Sequence, residues 1–387
     1  MRNIILFDQA QVREALLPIT YTRPVALVRH GITTMLEKWQ RTLEGDYSFE
    51  TEDYLSEKYP VKLSADGDDL RIAAHLHPTD SLVEAVSALK PGEKLVSADG
   101  HLLACRGNGE TSVTYNDQLF AINHIWEIFA DNGKALEADF EILTAGRRSQ
   151  PLSDTCTLIG DPSRLFIEEG ATVEGAFINV KNGPVYVGRD AEIMEGACLR
   201  GPVALCEHAV VNMGGKIYGA TTLGPYCKVG GELNNVVMTG YSNKAHDGFL
   251  GNAVIGEWCN LGAGCTASNL KNTYGEIKLW SISAGRFVKT GLQFCGLIMG
   301  DHSKAGINTM FNTATIVGVG VNFYGSDFPR TYLPSFTQGS TAGMREVEMN
   351  DFFRTASTVM ARRHVELTQV DKDLLMALHD RTSSLRN

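Results

Sequence analysis

From Val187 onward an aliphatic residue recurs at every sixth position, at Val187, Ile193, Leu199, Leu205, Val211, Ile217, Leu223 and Val229. The spacing resumes in new frames at Ile255, Leu261 and Ala267, and again at Met299, Ala305, Phe311, Val317 and Phe323. An α-helix scatters every sixth residue over separate faces and a lone strand needs a period of two, so neither explains a strict six. A triangular coil does: each six-residue unit forms one flat side with its aliphatic residue inward, and three units close a coil that stacks on the next. Glycine and short polar residues, as in Val187-Gly188, Leu223-Gly224 and Val229-Gly230, suit the corners where the backbone turns tightly. A β-sandwich would instead place turn signals every ~8–12 residues.

The pattern changes on both sides of this block. Before it, residues 1–150 alternate short apolar runs with helical spacing, which predicts an α/β domain: strands at Ile4–Phe7 and Lys94–Ser97, helices at Thr33–Leu43 and Ser81–Leu89, and an amphipathic stretch at Ile122–Phe129. Residues 151–326 form the coiled block. Residues 327–387 begin as a Pro/Gly/Ser/Thr linker and continue, over Glu346–Leu385, with apolar residues at helical spacing, which predicts a packed C-terminal helix. The coiled block is itself interrupted. Its frame shifts between Val229 and Ile255, and a polar excursion opens after Ala267; chain that leaves a rigid scaffold is where binding groups concentrate.

Composition narrows the function. Hydrophobic residues at 43% and charged residues at 21% are those of a folded soluble chain. Asp8 interrupts the first apolar run before a signal-peptide core or membrane span is complete, so a cytoplasmic location is expected, with no membrane partner. The eight cysteines show no Cys-x-x-Cys pair and no clustering with histidine, which argues for free thiols. A net charge of −10 without clustered Lys and Arg argues against nucleic acid, while leaving room for a small phosphorylated substrate.

The segment HDGFLGNAVIGEWCNLGAGCTASNLKN (246–272) resembles the acetyltransferase half of the bifunctional N-acetylglucosamine-1-phosphate uridyltransferase/glucosamine-1-phosphate acetyltransferase family. GLIMGDHSKAGIN (296–308) is similar to the next coil of that family, and LLPITYTRPVALVRHGITTMLEKW (16–39) resembles a compact bacterial form of its sugar nucleotidyltransferase domain. The resemblance implies an α/β nucleotidyltransferase-like domain followed by a left-handed parallel β-helix of hexapeptide repeats and a C-terminal helix. It also implies a homotrimer, acetyl-coenzyme A as co-substrate, Mg²⁺ for nucleotidyl transfer, and a nucleoside triphosphate and sugar-1-phosphate as substrates.

By the same resemblance His246 stands at the catalytic histidine. Independent chemistry agrees, since acylation of an amine needs a base that titrates near neutrality. Asn269 is the candidate oxyanion donor. Asn260, Phe249 and Lys244 are candidate substrate contacts, and Lys304 and Asn308 lie in the segment similar to the acetyl-coenzyme A site. Phe249 stands where the family places a tyrosine, and Glu232-Leu233-Asn234-Asn235 replaces the stretch carrying a phosphosugar-binding lysine. In the first domain Arg13 and Arg23 are candidates to hold phosphate, although FDQAQVREALLPITYTRP has no glycine to form a tight phosphate cradle. Asp99 and Asp139 are the candidate Mg²⁺ ligands, and Arg147 and Arg148 mark the domain junction. Three readings stay open at this point: a nucleotidyltransferase and acetyltransferase of nucleotide-sugar synthesis, a single-activity acyltransferase with a degenerate first domain, and a sugar-nucleotide-binding protein without catalysis.

Overall fold

The computed structural model describes residues 2–386 of the chain. Two compact units emerge, one formed by Met1–Val28 and Thr33–Ile125, the other by Arg29–Ile32 and Trp126–Asn387.

The first unit is a six-stranded mixed sheet. Strands β1 (Asn3–Phe7), β2 (Asp46–Glu50), β3 (Leu70–Ala73), β4 (Glu93–Ser97), β5 (Leu102–Arg106) and β6 (Thr111–Tyr115) lie in the order β2-β1-β3-β5-β4-β6. Strand β1 pairs in parallel with both neighbours, whereas β5 runs antiparallel to β3 and β4. Helices α1 (Ala10–Ala15), α2 (Met35–Thr42) and α3 (Asp80–Ser87) belong to this unit. Helix α2 begins where Thr34 accepts from the Glu37 backbone N–H while the Glu37 carboxylate accepts from the Thr34 N–H, a reciprocal cap. The Ile122–Phe129 stretch reaches helical form only as the short α4 (Glu127–Ala130).

Helix α5 (Asn132–Thr144) falls in the second unit, although the sequence pattern assigns it to the first 150 residues. Its apolar residues explain this. Leu136, Phe140 and Leu143 pack with Ile32, Phe166, Ala204 and Cys206 in a small core on the outer side of the coiled block.

The rest of the second unit is a parallel β-solenoid with the six-residue side as its building block. All eight residues of the first periodic run face inward, none more than 2% exposed. The residues of the later frames join them in one continuous core. Burying each such side chain contributes about 1.5–3 kcal/mol, so the ladder supplies most of the driving force for stacking. Successive coils pair in register: Val187 with Leu205, Val211 with Val229, Leu261 with Ala305.

One corner of the solenoid carries a column of stacked rings, His208, Tyr226, Tyr241, Trp258 and His302, with centroid spacings of 4.5, 5.2, 4.2 and 6.3 Å. All five have positive φ, between 53° and 61°. Stacking each bulky side chain on its neighbours offsets part of the strain of that backbone conformation.

Two departures from regular coiling follow. The excursion after Ala267 contains a two-stranded antiparallel hairpin, Lys278–Ser281 with Arg286–Lys289, before the chain re-enters the solenoid at Ile298–Met299, which pairs with Val254–Ile255. The C-terminal segment is two helices, α6 (Met349–Ala361) and α7 (Gln369–Arg381), rather than one. Helix α6 lays Phe352 across His302 and Phe336, edge to face at 5.7 and 5.5 Å. Among the described residues no helix is long and apolar enough to cross a membrane.

Candidate functional site

The solenoid shortens where His246 appears. Val211 and Val229 are eighteen residues apart in register, whereas Val229 pairs with Lys244, fifteen residues on. With three fewer residues in that coil, the corner at Gly230-Gly231 has no side chains. A Cβ on Gly230 would lie 2.5 Å from the Ala245 carbonyl oxygen, and one on Gly231 2.9 Å from that of His246. The glycine pair therefore lets the Ala245–Gly248 turn settle onto the coil beneath it.

That turn is held from within. The carbonyl oxygens of its four residues each accept a hydrogen bond: Ala245 from the Asn212 amide at 2.7 Å, His246 from the Lys244 ammonium at 2.6 Å, Asp247 from the Gly264 N–H at 3.0 Å, and Gly248 from the Glu232 N–H at 3.0 Å. With the backbone fixed, the His246 side chain is exposed at the corner. Its imidazole makes no hydrogen bond or ion pair among the described residues, so the ring is available to an external partner.

Phe249 follows the turn and is half-buried, with its ring folded against Gly251, where a Cβ would come within 2.6 Å of it. Its register partner Glu232 accepts from the Tyr218 hydroxyl at 2.6 Å, a bond that together with burial pushes the Tyr218 phenol up to about 12. Asn308 sits on the same corner as His246, its N–H bonded to the Ala263 carbonyl at 2.7 Å, and its side chain is exposed. Asn260 is exposed on the flat side leading into that corner, paired with Asn243 and Lys304 in the outward column.

The other candidates in this unit are placed differently. Lys244 is 1% exposed and occupies an inward position of the ladder, after Val229 and before Leu261, so it is a core residue and not a surface contact. Its ammonium donates to the Gly230 and His246 carbonyls, and burial pulls its pKa below the ordinary lysine value. The Asn269 amide donates to Asn252 Oδ1 at 2.8 Å, so its N–H is engaged along the solenoid and not aimed at the His246 corner. Lys304 donates to the Trp258 and His302 carbonyls at 2.7 and 3.0 Å. Burial lowers its pKa to about 8, and it lines a cavity of about 100 Å³ with Asn322, Gln338 and Thr355 of α6. Arg147, one of the junction arginines, is bound in a bidentate pair to Glu168, which also accepts from the Tyr186 hydroxyl.

In the first unit the candidates are built into the fold. Arg13 is 5% exposed, and its guanidinium bonds to the Asp8 carboxylate, the Thr20 and Arg23 carbonyls and the Tyr54 hydroxyl. Asp8 additionally accepts from the Val25 N–H and the Thr51 hydroxyl. The chain after β1 is thus a buried knot closed on its own polar groups, and Arg13 belongs to it instead of reaching for phosphate. Arg23 is likewise buried, at 5% exposure.

Asp99 lies exposed at the tip of the β4–β5 hairpin. Asp139, in the second unit, accepts from the Ile32 N–H at 2.7 Å and lies where a Cβ on Gly31 would come within 2.7 Å of its oxygen. That carboxylate clamps the Arg29–Ile32 segment to α5, a task shared by Asn132, which accepts from the Gly31 N–H at 2.8 Å. Among the described residues no group of three or more His, Cys, Asp or Glu side chains is arranged to hold a metal ion. Asp139 is thus engaged within its own unit, while Asp99 stands exposed on its hairpin.

Sequence reading placed Gly230 at a corner but did not single out Asn212 or Gly231. Their signal was the shortened repeat between Val229 and Lys244, visible only once Lys244 is recognised as an inward position.

Residues 4–148 match the family model described as sugar nucleotidyl transferase. A bifunctional sugar-1-phosphate nucleotidylyltransferase/acetyltransferase of Sulfurisphaera tokodaii is 30% identical over 150 residues, covering 38% of this chain and 37% of that protein. The bifunctional protein GlmU of Synechococcus elongatus is 24% identical over 233 residues, covering 54% of this chain and 47% of that protein. The chain thus spans less than half the length of these relatives. Among solved structures, a UDP-N-acetylglucosamine acyltransferase of Francisella novicida matches 60% of this chain and 86% of its own, at 9% identity and a TM-score of 0.32. The acetyltransferase domain of PglB from Neisseria gonorrhoeae matches 90% of this chain and all of its own, at 11% identity and a TM-score of 0.20.

Proposed function

We propose that this chain, whose sequence resemblance to the bifunctional nucleotidyltransferase/acetyltransferase family stands on those matches, is a transferase of nucleotide-sugar synthesis whose solenoid acetylates an amino-sugar-1-phosphate from acetyl-coenzyme A. The observation that carries the reading is His246. It is an exposed, unpaired imidazole on a turn whose four carbonyls are tied down, stacked on the shortened coil between Val229 and Lys244.

In the reaction the imidazole takes a proton from the substrate ammonium as its nitrogen attacks the thioester carbonyl. The new C–N bond forms, the C–S bond breaks, and the coenzyme A thiolate leaves and is protonated. Asn308, on the same corner, and Asn260, on the adjoining side, are exposed polar groups placed to line the acyl donor and the sugar. Phe249 offers a ring without a hydroxyl, so the acceptor is selected by shape at that position. Met213, Ile307 and Tyr324, 72%, 70% and 51% exposed, are apolar residues suited to a subunit contact, and we propose a homotrimer with the site completed between copies.

The first unit is proposed to bind a nucleotide or nucleotide-sugar. Whether it also transfers a nucleotidyl group from a nucleoside triphosphate to a sugar-1-phosphate divides two readings. The family match favours transfer. The closed knot of Asp8, Arg13 and Thr51 favours the second reading, a single-activity acyltransferase.

A panel crossing amino-sugar-1-phosphates and sugar-1-phosphates with nucleoside triphosphates and acetyl-coenzyme A, on the intact protein with Mg²⁺ present, tests both. Free coenzyme A is expected with at least one amino sugar, and its absence across the panel removes the acetyltransferase reading. Pyrophosphate release decides the role of the first unit.

A further inference from the structure

The inward column that contains Val211, Val229, Leu261, Ala305 and Phe323 has one charged member, Lys244. Burying an ammonium there is unfavourable unless its hydrogen bonds are made. An apolar side chain would fill the position at lower cost, so the lysine requires a compensating use. Its bonds show where that use lies. The ammonium donates to the carbonyl of His246, two residues along, at 2.6 Å, and to the carbonyl of Gly230 in the coil beneath at 3.2 Å.

Asn212 reinforces this from one coil further back. Because Gly230 and Gly231 have no side chains, its amide passes the shortened coil and donates to the neighbouring carbonyl of Ala245 at 2.7 Å. Two side chains from different coils thus hold consecutive carbonyls of the turn from which the imidazole projects.

We propose that Lys244 and Asn212 are positioning residues for His246, an internal ammonium and an amide that set the direction of the His246 turn. This rests on the reading of His246 as the acetyl-transfer base. Lys244 touches neither substrate in this account. It acts through the His246 peptide, whose carbonyl it holds while backbone N–H groups hold those of Asp247 and Gly248. A misplacement of about 1 Å in such a group lowers turnover by up to about a hundredfold.

The experiment uses the intact protein with three variants, Lys244→Met, Asn212→Ala and His246→Ala, each measured for acetyl transfer and thermal unfolding. Lys244→Met restores an apolar inward residue, so its melting temperature is expected to stay level or rise. Its kcat is expected to fall about 10- to 100-fold with KM nearly unchanged. Asn212→Ala, at a half-buried corner, is expected to lower kcat in the same sense by a smaller factor.

Wild-type kcat in Lys244→Met overturns the proposal, as does a fall confined to KM. If Lys244→Met fails to fold, Asn212→Ala decides: wild-type kcat there overturns the proposal, and a selective fall in kcat supports it. Wild-type turnover in His246→Ala is a different failure, since it removes the reading of the site on which the proposal rests. In folded Lys244→Met protein the His246 imidazole resonance, assigned by its loss in His246→Ala, is expected to shift and broaden; an unmoved resonance counts against the proposal.

Discussion

At the scale of single residues, most of the candidate cations are spent inside the fold, whereas the His246 imidazole is left open at a corner of the solenoid. Arg13, Lys244, Lys304 and Asp139 are all satisfied internally, whereas His246 is not. Charged residues in a motif were legible as chemistry but not as direction. Lys244 and Arg13 read as ligand-binding because a cation near a motif usually faces the substrate, and nothing local reveals that the side chain points inward.

Gly248 is the residue whose loss should hurt the turn most. Its φ is 123°, and a Cβ there would lie 2.0 Å from the Cys265 carbonyl oxygen. Gly248→Ala is expected to destabilise the protein by at least about 1–3 kcal/mol in thermal or urea unfolding and to reduce acetyl transfer.

A second residue-scale expectation concerns acid. Burial pulls the His75 pKa down from 6.5 to about 4. Because the folded value lies below the unfolded one, the contribution of His75 is intact above pH 6.5 and is lost as pH falls towards 4. The loss amounts to about 3 kcal/mol. Replacing His75 by Gln should flatten the stability profile over that window; an unchanged slope would contradict the assignment.

At the scale of elements, the period of six was legible from Val187 to Phe323 because every coil buries the same position, so a spatial constraint repeats in the sequence. The strand at residues 4–7 and helix α2 were legible for similar local reasons, an unbroken apolar run in one and helical spacing in the other. The hairpin at Lys278–Ser281 and Arg286–Lys289 was not, since its register depends on residues of the insertion pairing with one another. Nor was the division of the C-terminal segment, where apolar spacing continues across a turn in which His364 adopts a φ of 58°.

The pairing of Ile298–Met299 with Val254–Ile255 makes the solenoid continuous beneath the excursion. Replacing residues 271–292 by a short Gly-Ser linker should therefore leave a cooperatively folding solenoid by circular dichroism, with melting lowered by only a few degrees. Loss of folding would mean that the excursion is part of the core.

At the scale of the whole molecule, the chain carries a solenoid with one corner that combines an unpaired imidazole with exposed Met213, Ile307 and Tyr324. If copies meet at that corner, light scattering should give the mass of a trimer. Ile307→Asp should then shift it towards monomer and lower acetyl transfer at the same time. Dissociation with full activity would separate the catalytic corner from the contact.

The central claim is that His246 is the base of acetyl transfer, and it is tested most directly by comparing coenzyme A release from the intact protein and from His246→Ala, with the amino-sugar-1-phosphate that the panel identifies. The account expects a fall of about 10²- to 10⁴-fold at an unchanged melting temperature. Turnover equal to that of the unsubstituted protein would contradict it.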